Sequence, residues 1–230
     1  MRVREWIRLL IGLAALLGLS VAIAHGVADR DADYLEQNAG RALAVFTFLG
    51  AKHMITGYDH LLYLLGIVFF LYRARDIAVY VSLFALGHSI TLLAGVLLEI
   101  HVNAYLVDAL IGLSVAYKAF ENLDGFRTIL GWQPNPQTAV LVFGLAHGFG
   151  LATKLQDLSL SSDGLVGNII AFNVGVEIGQ LLALGILLVA INAWRAIGSF
   201  DRYANVFNTV LMFAGFSLAA YQMSGFFFAT

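Results

Sequence analysis

Six apolar runs follow one another along the chain, near residues 50–72, 77–98, 104–122, 137–155, 165–194 and 203–226. A helix of about twenty apolar residues crosses a hydrocarbon core of roughly 30 Å. A spanning strand would instead alternate apolar and polar residues over about ten positions. These runs are long and continuous, so the pattern predicts helices. The only prolines, Pro134 and Pro136, lie in one loop and leave the helices unbroken by proline. The connections are short, which puts all six runs in one bundle. The expected fold is therefore all-α: a polytopic membrane helix bundle of six spans, forming a single domain over residues 25–230.

Residues 1–24 form a separate unit. Arg2, Arg4 and Arg8 precede an apolar stretch from Leu9 to Val21, and Ala22-Ile23-Ala24 follows. This is the layout of a secretory signal peptide. It equally fits a first transmembrane helix that is kept, which would make a seventh. Residues 25–48 carry Asp29, Arg30, Asp31, Asp33, Glu36 and Arg41, and read as a short external segment. Lysine and arginine favour the cytoplasmic side of a membrane protein. Placing residue 2 in the cytoplasm puts Arg2, Arg4, Arg8, Arg73, Arg75, Lys118, Arg127, Arg195 and Arg202 there, against Arg30, Arg41, Lys52 and Lys154 outside. The C-terminus then lies outside.

Composition narrows the function. Hydrophobic residues make up 60% and charged residues 12% of the 230-residue chain, with mean hydropathy +0.82. Soluble domains carry about 25% charged residues, so the lipid bilayer is the expected surrounding. The net charge of -2 says nothing about nucleic acid, but no basic patch appears, and no nucleic-acid partner is expected. With no cysteine there is no disulfide, thiolate metal site or cysteine nucleophile. No phosphate loop appears, and neither Ser89 nor Ser114 sits in a G-x-S-x-G setting.

The polar residues inside the runs are more informative. At 1.5 Å of rise per residue, His60 lies roughly 15 Å into the first mature span. His88, His147 and Glu177 lie ten to twelve residues into theirs, counted from the appropriate side. Asp59 adjoins His60. Ionisable groups at the midplane are costly and mark a site or pathway. Small residues accompany them: Ala85, Thr91 and Gly95 share a face with His88, and glycines flank His147 and Glu177. Asn173, Glu177 and Gln180 share one helical face.

On a straight helix His53 and His60 stand roughly 10 Å apart along the axis, too far to chelate one ion. The expectation is two stacked stations. His53 forms an outer one near Asp108, Glu99 or His101; Asp59, His60, His88, His147 and Glu177 form the other at the midplane. Imidazole and carboxylate without thiolate suit nickel, cobalt, zinc or iron(II). A weak repeat, F-x-L-x-H, recurs at residues 84–88 and 143–147, with Leu92 and Leu151 at the same offset.

These motifs resemble the HupE/UreJ family of bacterial membrane proteins found with nickel hydrogenase and urease systems. The resemblance rests on H-x5-D-H at His53–His60, FALGHSITLLAG at 84–95, FGLAHGFGLA at 143–152 and FNVGVEIGQ at 172–180. It implies a secondary permease for Ni²⁺, with Co²⁺ as an alternative cargo, in the bacterial inner membrane. Nickel-associated members resemble F-H-A-x-A-H-G-x-E in the fourth helix. This chain lacks the first histidine of that motif and has Gly150 in place of its glutamate, so it looks like a second branch.

The expected function is a permease that uses no ATP, whose substrate is a divalent transition-metal ion: Ni²⁺, Co²⁺ or Zn²⁺. The alternative is an intramembrane zinc hydrolase, in which the same histidines leave one metal position open for water. No H-E-x-x-H supports that. A homo-oligomer and an accessory place in a larger membrane complex both fit the apolar surface.

Overall fold

The computed structural model describes residues 41–156 and 164–228; the readings of residues 1–24 and of most of 25–48 lie outside the described residues. The described chain is helical, without strands: α1 Leu43–Thr56, α2 Tyr58–Val68, α3 Ala74–Leu97, α4 Ala104–Asn122, α5 Gly125–Leu130, α6 Pro136–Gln156, α7 Leu165–Ala196 and α8 Phe200–Phe228. Of these, α3, α6, α7 and α8 are long and apolar enough to cross a membrane. The 19-residue α4 coincides with an expected span but carries Asp108, Lys118 and Glu121.

The first span departs from expectation. Helix begins at Leu43 and breaks at Gly57, so the run near 50–72 is two short helices. Gly57 takes an extended conformation (φ -71°, ψ 99°). Its N–H donates to the carbonyl of His53 at 2.9 Å, and its own carbonyl accepts from Leu61 N at 3.0 Å. One residue thus closes α1 and opens α2. The position has no room for a side chain: a Cβ would stand 2.7 Å from His60 Nδ1 and 3.0 Å from Asp59 Oδ1.

Helices in lipid gain little from apolar burial against one another, and small residues let their backbones meet. That rule builds three close couples here. In the couple of α1 with α7, Gly50 packs on the Phe172 carbonyl and Gly175 on that of Thr47. In the couple of α3 with α6, Gly87 lies against Leu141 and Leu145, Gly144 against Phe84, and Gly148 against His88 and Thr91. Gly112 and Gly215 face each other's helix between α4 and α8. Contacts advance together along α1/α7 and along α3/α6, so these couples are parallel. In α4/α8, Tyr105 meets Gly225 while Ala116 meets Gly215, so this couple is antiparallel. These directions are the ones alternating spans require.

The short α2 sits among the couples and touches α1, α3, α4, α7 and α8. It buries His60, Tyr63, Leu64, Ile67 and Val68. Outward faces are apolar, as at Val174, Leu181 and Val189 of α7 and Phe213 and Phe216 of α8. Arg195 closes the lower end of α2, donating to the carbonyls of Phe69 at 2.6 Å and Leu71 at 3.3 Å.

Candidate functional site

The break at Gly57 turns α2 so that His60 lies under His53 rather than a full helical span beyond it. Their ring centres are 5.0 Å apart. The expected separation of roughly 10 Å, and with it the division into an outer and a midplane station, is corrected by this geometry. His60 is the hub: its ring centre is also 5.2 Å from that of His147 and 6.4 Å from that of His88. The parallel packing of α3 on α6 explains the last two. The F-x-L-x-H segments lie side by side, so His88 and His147 reach α2 from adjoining helices.

The hydrogen bonds around these rings are one-sided. His60 Nδ1 meets Asp59 Oδ1 at 2.8 Å, and His147 Nδ1 meets the carbonyl of Phe143 at 2.7 Å. Both partners accept, so both Nδ1 atoms carry the hydrogen and each Nε2 keeps a lone pair. Nε2 of His53, His60, His88 and His147 is buried without a hydrogen-bond partner, and so is Nδ1 of His88. Buried polar atoms are seldom left unpaired. Carboxylate or carbonyl behind one ring nitrogen, and a free lone pair on the other, is the usual arrangement of a metal-binding histidine. Two imidazoles sharing an ion through bonds of about 2.0–2.1 Å have ring centres roughly 5 Å apart at a tetrahedral angle. The distances from His60 to His53 and to His147 match that; the one to His88 is longer. Among the described residues, no three His, Asp or Glu side chains already surround one point closely enough to hold an ion.

Aromatic rings wall the cluster. Phe84 stands 4.9 Å from His147 and Tyr63 stands 5.5 Å from it, while Phe172 is 6.1 Å from His53. A cavity of about 70 Å³ adjoins the cluster, lined by His53, Tyr58, Asp59, Asp108, Lys154 and Gln222 among others. Asp108 lines the same cavity as His53, and its carboxylate holds Lys154 at 2.9 and 3.2 Å. His101 is exposed and bonds the carbonyl of Glu99.

The α7 residues separate. Asn173 lies beside His88. Gln180 is fully buried at the contact with α3, its Nε2 3.5 Å from the carbonyl of Val81. Glu177 does not join them: it is exposed at the edge of the apolar outer face. Depth along the axis is right for it, but its azimuth is set by Gly175 and Gly179, which turn toward α1 and carry Glu177 outward.

Sequence reasoning missed a second polar group, below α2. Lys118 Nζ donates to Glu121 Oε2 at 2.8 Å, and Gln133 Nε2 donates to Glu121 Oε1 at 3.0 Å. Asn122 Nδ2 bridges the carbonyl of Gly66 and Asn208 Oδ1, both at 2.9 Å. Lys118, counted above only as a charge toward the cytoplasmic side, is buried, its side chain 10% exposed. The available signal was a Lys-x-x-Glu-Asn run inside an apolar helix.

No curated protein and no solved structure matches the chain significantly. A family model described as HupE / UreJ protein matches residues 29–230, a stretch that contains every described helix and every residue of the imidazole cluster. The chain is a membrane protein and belongs to the HupE/UreJ family.

Proposed function

We propose that the chain is a secondary permease for a divalent transition-metal ion, Ni²⁺ or Co²⁺, in the bacterial inner membrane with its C-terminus outside. Membership of a family generally related to nickel and cobalt transport supports the class of substrate. The observation that carries the reading is the set of four imidazoles whose buried Nε2 atoms lack a partner. Nitrogen donors without thiolate suit these borderline ions better than Mg²⁺ or Ca²⁺.

In this reading the ion leaves water in the cavity beside Asp59, whose carboxylate draws it in, while Asp108 balances the Lys154 ammonium on the same cavity wall. It loses its hydration shell to His53 and His60, then engages His147 and, after a side-chain rotation, His88. Asp59 and the Phe143 carbonyl hold the rings and make them better donors. The tyrosine and phenylalanine rings below keep water out. Release to the other side requires the couples of helices to shift around α2, which contacts members of all three. No ATP motif is present in the sequence, so the ion's own gradient or a coupled ion drives transport.

The test is metal accumulation by cells expressing the full chain. Wild type raises Ni²⁺ or Co²⁺ uptake, and His60→Ala and His147→Ala abolish the increase. Uptake that both variants leave intact contradicts the proposal.

A further inference from the structure

We infer that Asn173 is the positioning residue for His88: its amide oxygen accepts the imidazole N–H when the ring turns toward His60, which leaves the other ring nitrogen to the metal ion. The inference rests on the imidazoles being a metal site, as the permease reading has them.

His88 is the unfinished member of the cluster. It is 1% exposed, and both of its ring nitrogens are buried without a hydrogen-bond partner. A neutral imidazole carries one N–H, and a buried donor left unpaired is destabilising. For His60 and His147 an acceptor stands behind the ring: Asp59 Oδ1 for the first and the Phe143 carbonyl for the second. The F-x-L-x-H repeat gives His88 no counterpart. The equivalent carbonyl, four residues back at Phe84, has Gly144 of α6 packed on it. The His88 ring centre also stands 6.4 Å from that of His60, beyond the 5.2 Å of His147.

The missing acceptor comes from α7, and helix register places it. Helices α3 and α7 touch and run in opposite directions, since α7 is parallel to α1 and the spans alternate. Gln180 Nε2 lies 3.5 Å from the carbonyl of Val81, which sets Gln180 opposite Val81. Seven residues make close to two turns, or about 10 Å of rise. Two turns outward from Val81 along α3 comes His88; two turns outward from Gln180 along α7 comes Asn173. The two side chains are therefore neighbours, as their interaction also shows. Phe172, one residue before Asn173, has its ring 6.1 Å from that of His53, so this turn of α7 borders the cluster.

Asn173 Oδ1 is itself buried and unpartnered. An orphan acceptor thus adjoins an orphan donor, and rotation of the His88 side chain joins them. A carboxamide oxygen behind one ring nitrogen fixes the tautomer and aims the other, as Asp59 does for His60. A neutral acceptor holds an imidazole less firmly than a carboxylate. That suits a ligand which joins and leaves the ion during transport.

The test titrates Co²⁺ into the full chain, records its ligand-field spectrum and follows Co²⁺ flux into liposomes. Asn173→Ala removes the acceptor at a half-buried position. It is expected to weaken Co²⁺ binding about 10–100-fold and to shift the spectrum toward that of His88→Ala. In the His88→Ala background the same change is expected to move the affinity by less than about twofold, because Asn173 acts through that ring. Asn173→Asp places a carboxylate behind the ring and is expected to tighten binding, by a gain that vanishes in His88→Ala. Three results overturn the inference: wild-type affinity in Asn173→Ala, a further large loss when it is added to His88→Ala, or an Asn173→Asp gain that persists without His88. A wild type that binds Co²⁺ but passes none into liposomes overturns the permease reading and leaves the role of Asn173 standing. A wild type that binds no Co²⁺ overturns both.

Discussion

One carboxylate oxygen, Asp59 Oδ1, accepts two hydrogen bonds from His60: from ring Nδ1 at 2.8 Å and from the backbone N–H at 2.9 Å. The first fixes the tautomer and aims Nε2 at the cluster. The second satisfies an otherwise free N–H in the first turn of α2. A single atom therefore couples the start of that helix to the orientation of its histidine.

Asp59→Asn keeps the size and the option of a hydrogen bond but removes the charge that holds the imidazole. Metal affinity is expected to fall about 10–100-fold with helix content unchanged. Titration with Co²⁺, alongside circular dichroism, checks both halves of the prediction.

Gly57→Ala places a methyl group against His60 Nδ1 and Asp59 Oδ1. The break between α1 and α2 needs no left-handed backbone, so the cost is that of the crowded contact, about 1–3 kcal/mol. The expected result is a loss of metal binding in a protein that still folds, with a modestly lower melting point. Equal affinity in Gly57→Ala and wild type would show that the tight contact does not matter.

Gly175→Leu acts on the fold instead. The α1 backbone at Thr47 and Ala51 lies directly on Gly175, and overpacking of this kind costs roughly 1–3 kcal/mol or more. A lower midpoint of thermal unfolding in detergent is expected, without a specific effect on the Co²⁺ spectrum of the fraction that remains folded.

Glu177→Gln separates depth from direction. Glu177 is exposed and lies outside the imidazole cluster, so uptake and Co²⁺ affinity are expected to stay within about twofold of wild type. An uptake assay that shows a large loss would place this carboxylate on the ion's route.

The helical bundle was legible in the chain because apolar length alone decides it. The meeting of His60, His88 and His147 was legible in part: residue counting gives depth along an axis, and small neighbours mark the packed face. Counting fails wherever the axis bends. Gly57 lies within the run near 50–72, between Thr56 and Asp59; a lone glycine in a helical pattern is tolerated and does not by itself announce a break, so His53 was set apart from a cluster it joins. Counting also gives no azimuth, which misplaced Glu177. The Lys118–Glu121 pair was hidden for a different reason. A charge near the end of a run reads as a loop charge, and its burial comes from α2 and α8, far away in sequence.

The central claim, that the imidazoles act together on one ion, is tested most directly by X-ray absorption at the metal edge of the Co²⁺- or Ni²⁺-loaded protein. The account predicts a first shell dominated by nitrogen, with outer-shell scattering from several imidazoles that diminishes in His53→Ala, His60→Ala and His147→Ala alike. A shell of oxygen alone, or imidazole scattering that persists unchanged in all three variants, would contradict it.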